Sequence, residues 1–181
     1  MRLTLFHTRP AALLGILLLN ACASRPINPP FYRQYREQYA ITADELTTLQ
    51  FYISYEVLAH AMDGSPDVTP EGVVIVAART PGLVREVGPD WLRVAFTKGG
   101  EDVLFRARDD RANAVYGLAT ITESGKIALV SELPEPVLTQ GERRYRILKG
   151  ADASLIVSQK DLGRLIERRP RPAGLEREST R

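Results

Sequence analysis

From residue 49 to residue 60 the chain alternates without a break. Leu49, Phe51, Ile53, Tyr55, Val57 and Ala59 are interleaved with Gln50, Tyr52, Ser54, Glu56, Leu58 and His60. A period of two with this many β-branched and aromatic side chains predicts one long strand, bulged near Tyr55 and Glu56. Shorter apolar runs then recur about every ten residues, a spacing expected of barrels and sandwiches. Residues 73–77 (VVIVA) are apolar throughout, as in a strand covered on both faces. Thr80-Pro81-Gly82 predicts a type II turn, and residues 83–87 form the strand after it. Gly88-Pro89-Asp90 predicts another turn. Residues 91–96 and 103–107 then flank the polar, glycine-bearing stretch 97–102, a hairpin signal. A second hairpin spans residues 116–130 around Glu123-Ser124-Gly125. Residues 145–148 and 154–157 are expected to pair across Lys149-Gly150-Ala151-Asp152.

Helical signals frame these strands. Tyr32, Tyr35 and Tyr39 fall at i, i+3 and i+7, one helix face, with Phe31 beneath Tyr35. Two roles are open to these four aromatics: packing on their own domain, or a surface for a partner, sugar or lipid headgroup. Thr42 and Glu45 form a capping box for a helix to about Thr48, and Ser158 caps a helix over residues 160–168. Residues 169–181 (RPRPAGLERESTR) are polar and proline-bearing, a disordered tail. The fold expected is mostly β, a small barrel or sandwich with short flanking helices at both ends. The order strand, Pro-Gly turn, strand, Trp-led hairpin over residues 73–107 resembles an SH3-like barrel. Trp91, Leu92, Val94, Phe96, Leu104 and Phe105 are expected to supply much of its core or rim.

The N-terminus carries an address. Arg2 and Arg9 precede an uncharged apolar run, residues 11–19 (AALLGILLL), and small residues follow at Ala21-Cys22-Ala23. Nine residues span about half of a ~30 Å hydrocarbon core as a helix, so the run reads as a secretory signal and not as a membrane span. Ala21-Cys22-Ala23 fits ordinary signal-peptidase cleavage after Ala23. Leu19-Asn20-Ala21-Cys22 resembles the lipobox of bacterial lipoproteins. That resemblance implies a diacylglyceryl thioether on Cys22, cleavage before it and acylation, commonly by palmitate, of the new amino terminus. Cys22 is the one cysteine of the chain. A lone thiol beside an export signal has no disulfide partner, which favours its modification. Ala23 at the next position, in place of Asp, implies by the same resemblance an outer-membrane lipoprotein facing the periplasm. The domain plan expected is a signal at 1–21, a lipidated tether and aromatic segment at 22–40, a β-rich domain at 41–168 and the tail at 169–181. Three prolines within residues 24–30 (SRPINPP) make the tether a semi-rigid spacer.

Charge alters the choice of partners. The formal net charge of +2 falls to zero once Arg2 and Arg9 leave with the signal, with 22 basic and 22 acidic residues remaining. A neutral chain gives no electrostatic ground for binding nucleic acid. Candidate chemistry is equally sparse. His7 leaves with the signal, so His60 is the one imidazole, with no nucleophile elbow, dinucleotide fingerprint or phosphate loop to accompany it. No metal site is expected from histidine and cysteine, and no cofactor. The carboxylate pairs Glu101-Asp102 and Asp109-Asp110 could serve acid–base hydrolysis, but both lie in predicted turns beside Lys98, Arg106, Arg108 and Arg111. Asp63, Asp67 and Glu71 lack EF-hand spacing. Arg164, Arg168, Arg169 and Arg171 make a modest basic cluster diluted by Glu167, Glu176 and Glu178.

The expectation is therefore a membrane-anchored envelope lipoprotein without catalysis, acting as a binding or assembly module. Its lipid is on Cys22, and Phe31, Tyr32, Tyr35 and Tyr39 are the candidate partner surface. The partner expected is an envelope protein, peptidoglycan or lipopolysaccharide, besides the membrane itself. An envelope hydrolase using loop carboxylates is the alternative.

Overall fold

The computed structural model describes residues 28–62, 73–108 and 113–169. Within them lie eleven strands and three short α-helices, a mostly β fold of two curled sheets. The strands are β1 (Phe51–Ile53), β2 (Val57–Ala61), β3 (Val73–Val76), β4 (Pro81–Val87), β5 (Trp91–Ala95), β6 (Val103–Ala107), β7 (Tyr116–Ile121), β8 (Ile127–Leu129), β9 (Val137–Gln140), β10 (Arg143–Lys149) and β11 (Leu155–Val157). The helices are α1 (Arg33–Gln38), α2 (Ala43–Thr48) and α3 (Gln159–Glu167).

The larger sheet runs β11-β1-β4-β5-β6-β7-β8, and the smaller one β3-β2-β10-β9. The larger sheet closes on itself. Gly117 of β7 bridges Ser154, and Leu118 N–H donates to Ala153 O at 2.7 Å. Six strands, β11 to β7, thus curl into a barrel in which β11 and β7 meet directly only around residues 117–118 and 153–154, with residues 29–33 bonded to both edges beyond that contact. Leu92, Val94, Phe105, Leu118, Leu155 and Val157 fill its interior with at most 1% exposure. Trp91 and Phe96 are half-buried, so they belong to the rim.

The long alternating stretch is one bent arm. Phe51 faces Gly82 and Val57 faces Val76, so six steps along one strand match six steps back along the other. The register of β1 on β4 therefore continues into β2 on β3 across the break at residues 54–56. Arg79, with φ +61°, stands opposite that break and donates its N–H to Ile53 O at 2.9 Å. One half of the arm is built into the barrel and the other half starts the second sheet. The expected bulge is a full sheet-to-sheet bend.

Two expectations need correction, and one strand is added. Pro81 and Gly82 do not form a turn: they begin β4, opposite Tyr52 and Phe51. The turn lies one step earlier, where Thr80 N–H and Oγ1–H both reach Ala77 O. Proline is tolerated there because it opens the strand, where no ladder donor is lost. Residues 145–148 and 154–157 do not pair with each other. Strand β10 lies between β9 and β2, and β11 pairs with β1. Residues 150–153 carry the chain from one sheet to the other. Gly150 makes that passage with φ +84°, and Glu56 O occupies the place its Cβ would take. Strand β9 was not foreseen. It forms a hairpin with β10 through Gly141, whose φ is +59°.

The chain ends lock this body. Val157 N–H donates to Pro29 O at 3.0 Å, and Phe31 N–H to Leu155 O at 2.8 Å. At Phe31 the chain doubles back along β7: Tyr116 N–H donates to Phe31 O, and Arg33 N–H to Ala114 O at 2.8 Å. Residues 29–33 therefore form a V wedged between β11 and β7, with Phe31 at its point. The segment placed in the tether from the sequence is built into the globule. Both predicted caps form, with Thr42 and Glu45 bonded reciprocally and Ser158 Oγ accepting from Asp161 N–H. Arg169, expected to open the tail, reaches Ala40 O and Glu45 and ties α3 to α2.

Candidate functional site

The aromatic segment is where sequence and structure meet. Its first member is a core residue. Phe31 is 0% exposed, stacked on Tyr116 at 5.3 Å and edge-on to Phe51 at 5.0 Å between ring centroids. Phe31 is accordingly removed from the candidate partner surface, because the point of the V sits where three strands would otherwise leave a hole. Tyr32, Tyr35 and Tyr39 are half-buried and form a continuous row. Tyr32 meets Tyr35 edge-on at 5.4 Å, and Tyr35 lies 6.3 Å from Tyr39. Burial raises the Tyr35 phenol above its ordinary pKa of 10.0, and the neighbouring Tyr32 and Tyr39 add to the rise. Half-buried, the three side chains can each present part of a ring and a hydroxyl to a partner.

Helix α1 is pinned over one end of the barrel. Arg36 Nη1 donates to Gly88 O at 2.7 Å and Pro89 O at 3.1 Å, the turn that links β4 to β5. Arg33 pairs with Glu37 one helical turn on, at 2.6 Å. Beneath that turn the Trp91 indole fills the space a Cβ on Gly88 would need, and the Arg93 guanidinium stands 5.9 Å from its centroid. The two Arg36 bonds had no sequence signal, since they join residues 52 and 53 positions apart.

The remaining candidates are dispersed. Cys22 lies outside the described residues, as do Asp63, Asp67, Glu71, Asp109, Asp110, Arg111, Arg171, Glu176 and Glu178. His60 is half-buried on β2 opposite Arg146 of β10. Glu101 and Asp102 lead into β6, where Gln140 Nε2 donates to Glu101 O at 3.3 Å. No group of three histidine, cysteine or carboxylate side chains that could hold a metal occurs among the described residues. Arg164 and Arg168 lie on and just beyond α3, and Arg169 is spent on Glu45 at 2.6 Å. Thr42 N–H, followed by the Thr42 hydroxyl and Arg169, holds the Glu45 carboxyl below its ordinary 4.5.

One concavity went unforeseen. A groove of about 530 Å³ opens between the β7–β8 hairpin and β9. Thr120, Thr122, Ser124 and Thr139 line it with hydroxyls, Leu133 and Val137 with apolar groups, and Glu123, Glu135 and Arg144 with charge. Here the sheets meet through a side chain, with Thr139 N–H donating to Thr120 Oγ1 at 2.9 Å. The signal that could have revealed it is Gly141, which marks the β9–β10 hairpin. No helix among the described residues is long and apolar enough to cross a membrane. Comparison with protein-family models, curated proteins and solved structures finds no match for the chain.

Proposed function

We propose that this chain is a lipid-anchored protein of the bacterial envelope, held in the outer membrane facing the periplasm, and that it acts by binding. The observation that carries the reading is the position of Cys22. It closes the apolar leader, is the one thiol of the chain, and stands six residues before Asn28, which accepts from Gln159 N–H at 3.2 Å. A modified residue placed there holds the barrel close to the bilayer without being part of it. Two acyl chains or more make such attachment stable, at about 0.8 kcal/mol per buried CH₂.

Binding is preferred to turnover on the disposition of charge. Asp90 is engaged by Arg106, Glu135 by Arg146 and Glu45 by Arg169, each in an ion pair that ties two elements together. These three are committed to structure, and the described members of the loop-carboxylate alternative, Glu101 and Asp102, belong to no group of three histidine, cysteine or carboxylate side chains that could hold a metal among the described residues. The partner is a component of the envelope, whether protein, peptidoglycan or lipopolysaccharide. Intact-mass analysis of the protein expressed with its leader tests the anchor. An acylated Cys22 at the amino terminus is expected, and Cys22→Ser should block processing or release the protein from membranes. A mature chain starting at unmodified Ser24 overturns it. Turnover of glycan or ester substrates by the purified protein would overturn the non-catalytic reading.

A further inference from the structure

We infer that the tyrosine row on α1 and its two caps, Tyr32, Tyr35 and Tyr39, is a membrane-contact surface, lying against the phospholipid headgroups of the bilayer that holds the anchor. The inference rests on the lipid anchor at Cys22 proposed above and adds which face of the barrel meets the lipid. Six Cα steps separate Cys22 from Asn28, a reach of at most about 20 Å at ~3.3–3.6 Å per residue. Asn28 cannot swing away from the body, because Gln159 N–H bonds its side chain and Val157 N–H bonds Pro29 O next to it. The end of the barrel where the chain enters is therefore the end nearest the lipid.

Helix α1 covers that same end. After the V turns at Phe31, Arg33 N–H bonds Ala114 O, and Arg36 clamps the helix to Gly88 and Pro89. Tyr32, Tyr35 and Tyr39 are all half-buried, and Tyr35 and Tyr39 pack against the core while keeping part of their surface accessible. An apolar ring with a polar tip suits the headgroup layer, where tyrosine and tryptophan concentrate in membrane proteins. Lys98 marks the opposite end: β5 starts at Trp91, beside the turn under α1, and runs to Ala95, after which the hairpin carries Lys98.

Depth-sensitive quenching tests the inference on the full lipidated chain. Because the lipid occupies the Cys22 sulfur, Gln38→Cys and Lys98→Cys each supply one free thiol. Both positions are exposed, so neither change disturbs the core. Each variant is labelled with a polarity-sensitive fluorophore and reconstituted into phosphatidylethanolamine–phosphatidylglycerol vesicles containing a spin-labelled lipid. Quenching at position 38 several-fold stronger than at position 98, with a blue-shifted emission, is expected. Equal quenching at both positions in protein that floats with the vesicles overturns the orientation and leaves the anchor standing. Protein that does not float overturns the anchor and the orientation together.

Discussion

Replacing Phe31 by Ala separates a core plug from a partner surface. The ring is 0% exposed and contacts Tyr116, Phe51 and Tyr35, at centroid separations of 5.3, 5.0 and 6.4 Å. A fully buried Phe→Ala change costs about 3–5 kcal/mol, through lost transfer energy and the cavity left behind. Collapse around the void is hindered here, because Phe31 sits at the point of a V whose two arms are hydrogen-bonded to β11 and β7. A loss of at least the middle of that range, about 4 kcal/mol, is therefore expected. For a domain of this size 1 kcal/mol moves Tm by roughly 3–4 °C, so the midpoint should fall by about 12–16 °C. Thermal unfolding followed by far-UV circular dichroism at pH 7 measures it. Tyr32→Ala serves as the contrast: half-buried, it should cost about 1 kcal/mol. A Phe31→Ala midpoint within 3 °C of wild type would refute the plug and return Phe31 to the surface.

Three other outcomes follow from single groups. The Tyr116 hydroxyl is buried with no hydrogen-bond partner among the described residues, so Tyr116→Phe should leave stability unchanged or raise it by about 1 kcal/mol. A loss of more than 1 kcal/mol in urea unfolding would reveal a missing partner for that hydroxyl. Gly150→Ala should cost about 2 kcal/mol or more, because φ is +84° and the new Cβ meets Glu56 O; an unchanged urea midpoint would contradict the passage between sheets. Glu45 titrates below its ordinary 4.5 in the folded state, so its contribution is present above that pH and is lost as pH falls through the folded value. Glu45→Gln should flatten stability against pH below about 4.5, and a profile identical to wild type would argue against the Thr42–Glu45–Arg169 clamp.

Local chemistry carried the parts of the fold that are decided locally. The capping box at Thr42 and Glu45, the cap at Ser158, and the hairpins at residues 97–102 and 123–125 were all legible, because each depends on residues a few positions apart. The alternation at residues 49–60 identified a long extended arm correctly. It could not show that the arm serves two sheets, since that depends on where β3 and β4 pair with it. Period also failed to choose the partners of β10 and β11. Their alternation fits a hairpin as well as a crossover, and the choice falls to the buried faces they complete: Tyr145 and Ile147 with β2, Leu155 and Val157 with β1.

The aromatic segment shows the same division. Spacing alone put Tyr32, Tyr35 and Tyr39 on one helix face, and the apolar leader, the lipobox resemblance and the lack of a second cysteine made Cys22 the candidate for lipid. Neither could sort Phe31 from its neighbours, because a ring at the start of a helix reads alike whether it faces solvent or strands. Barrel closure sorted it. The gap between β11 and β7 needs a backbone wedge and a large apolar side chain. Residues 29–33 supply both only because strands more than eighty and more than a hundred positions away are brought to either side of them. Long-range pairing is settled by which arrangement buries the most apolar surface with every backbone group bonded, a property of the whole body that no window of sequence contains.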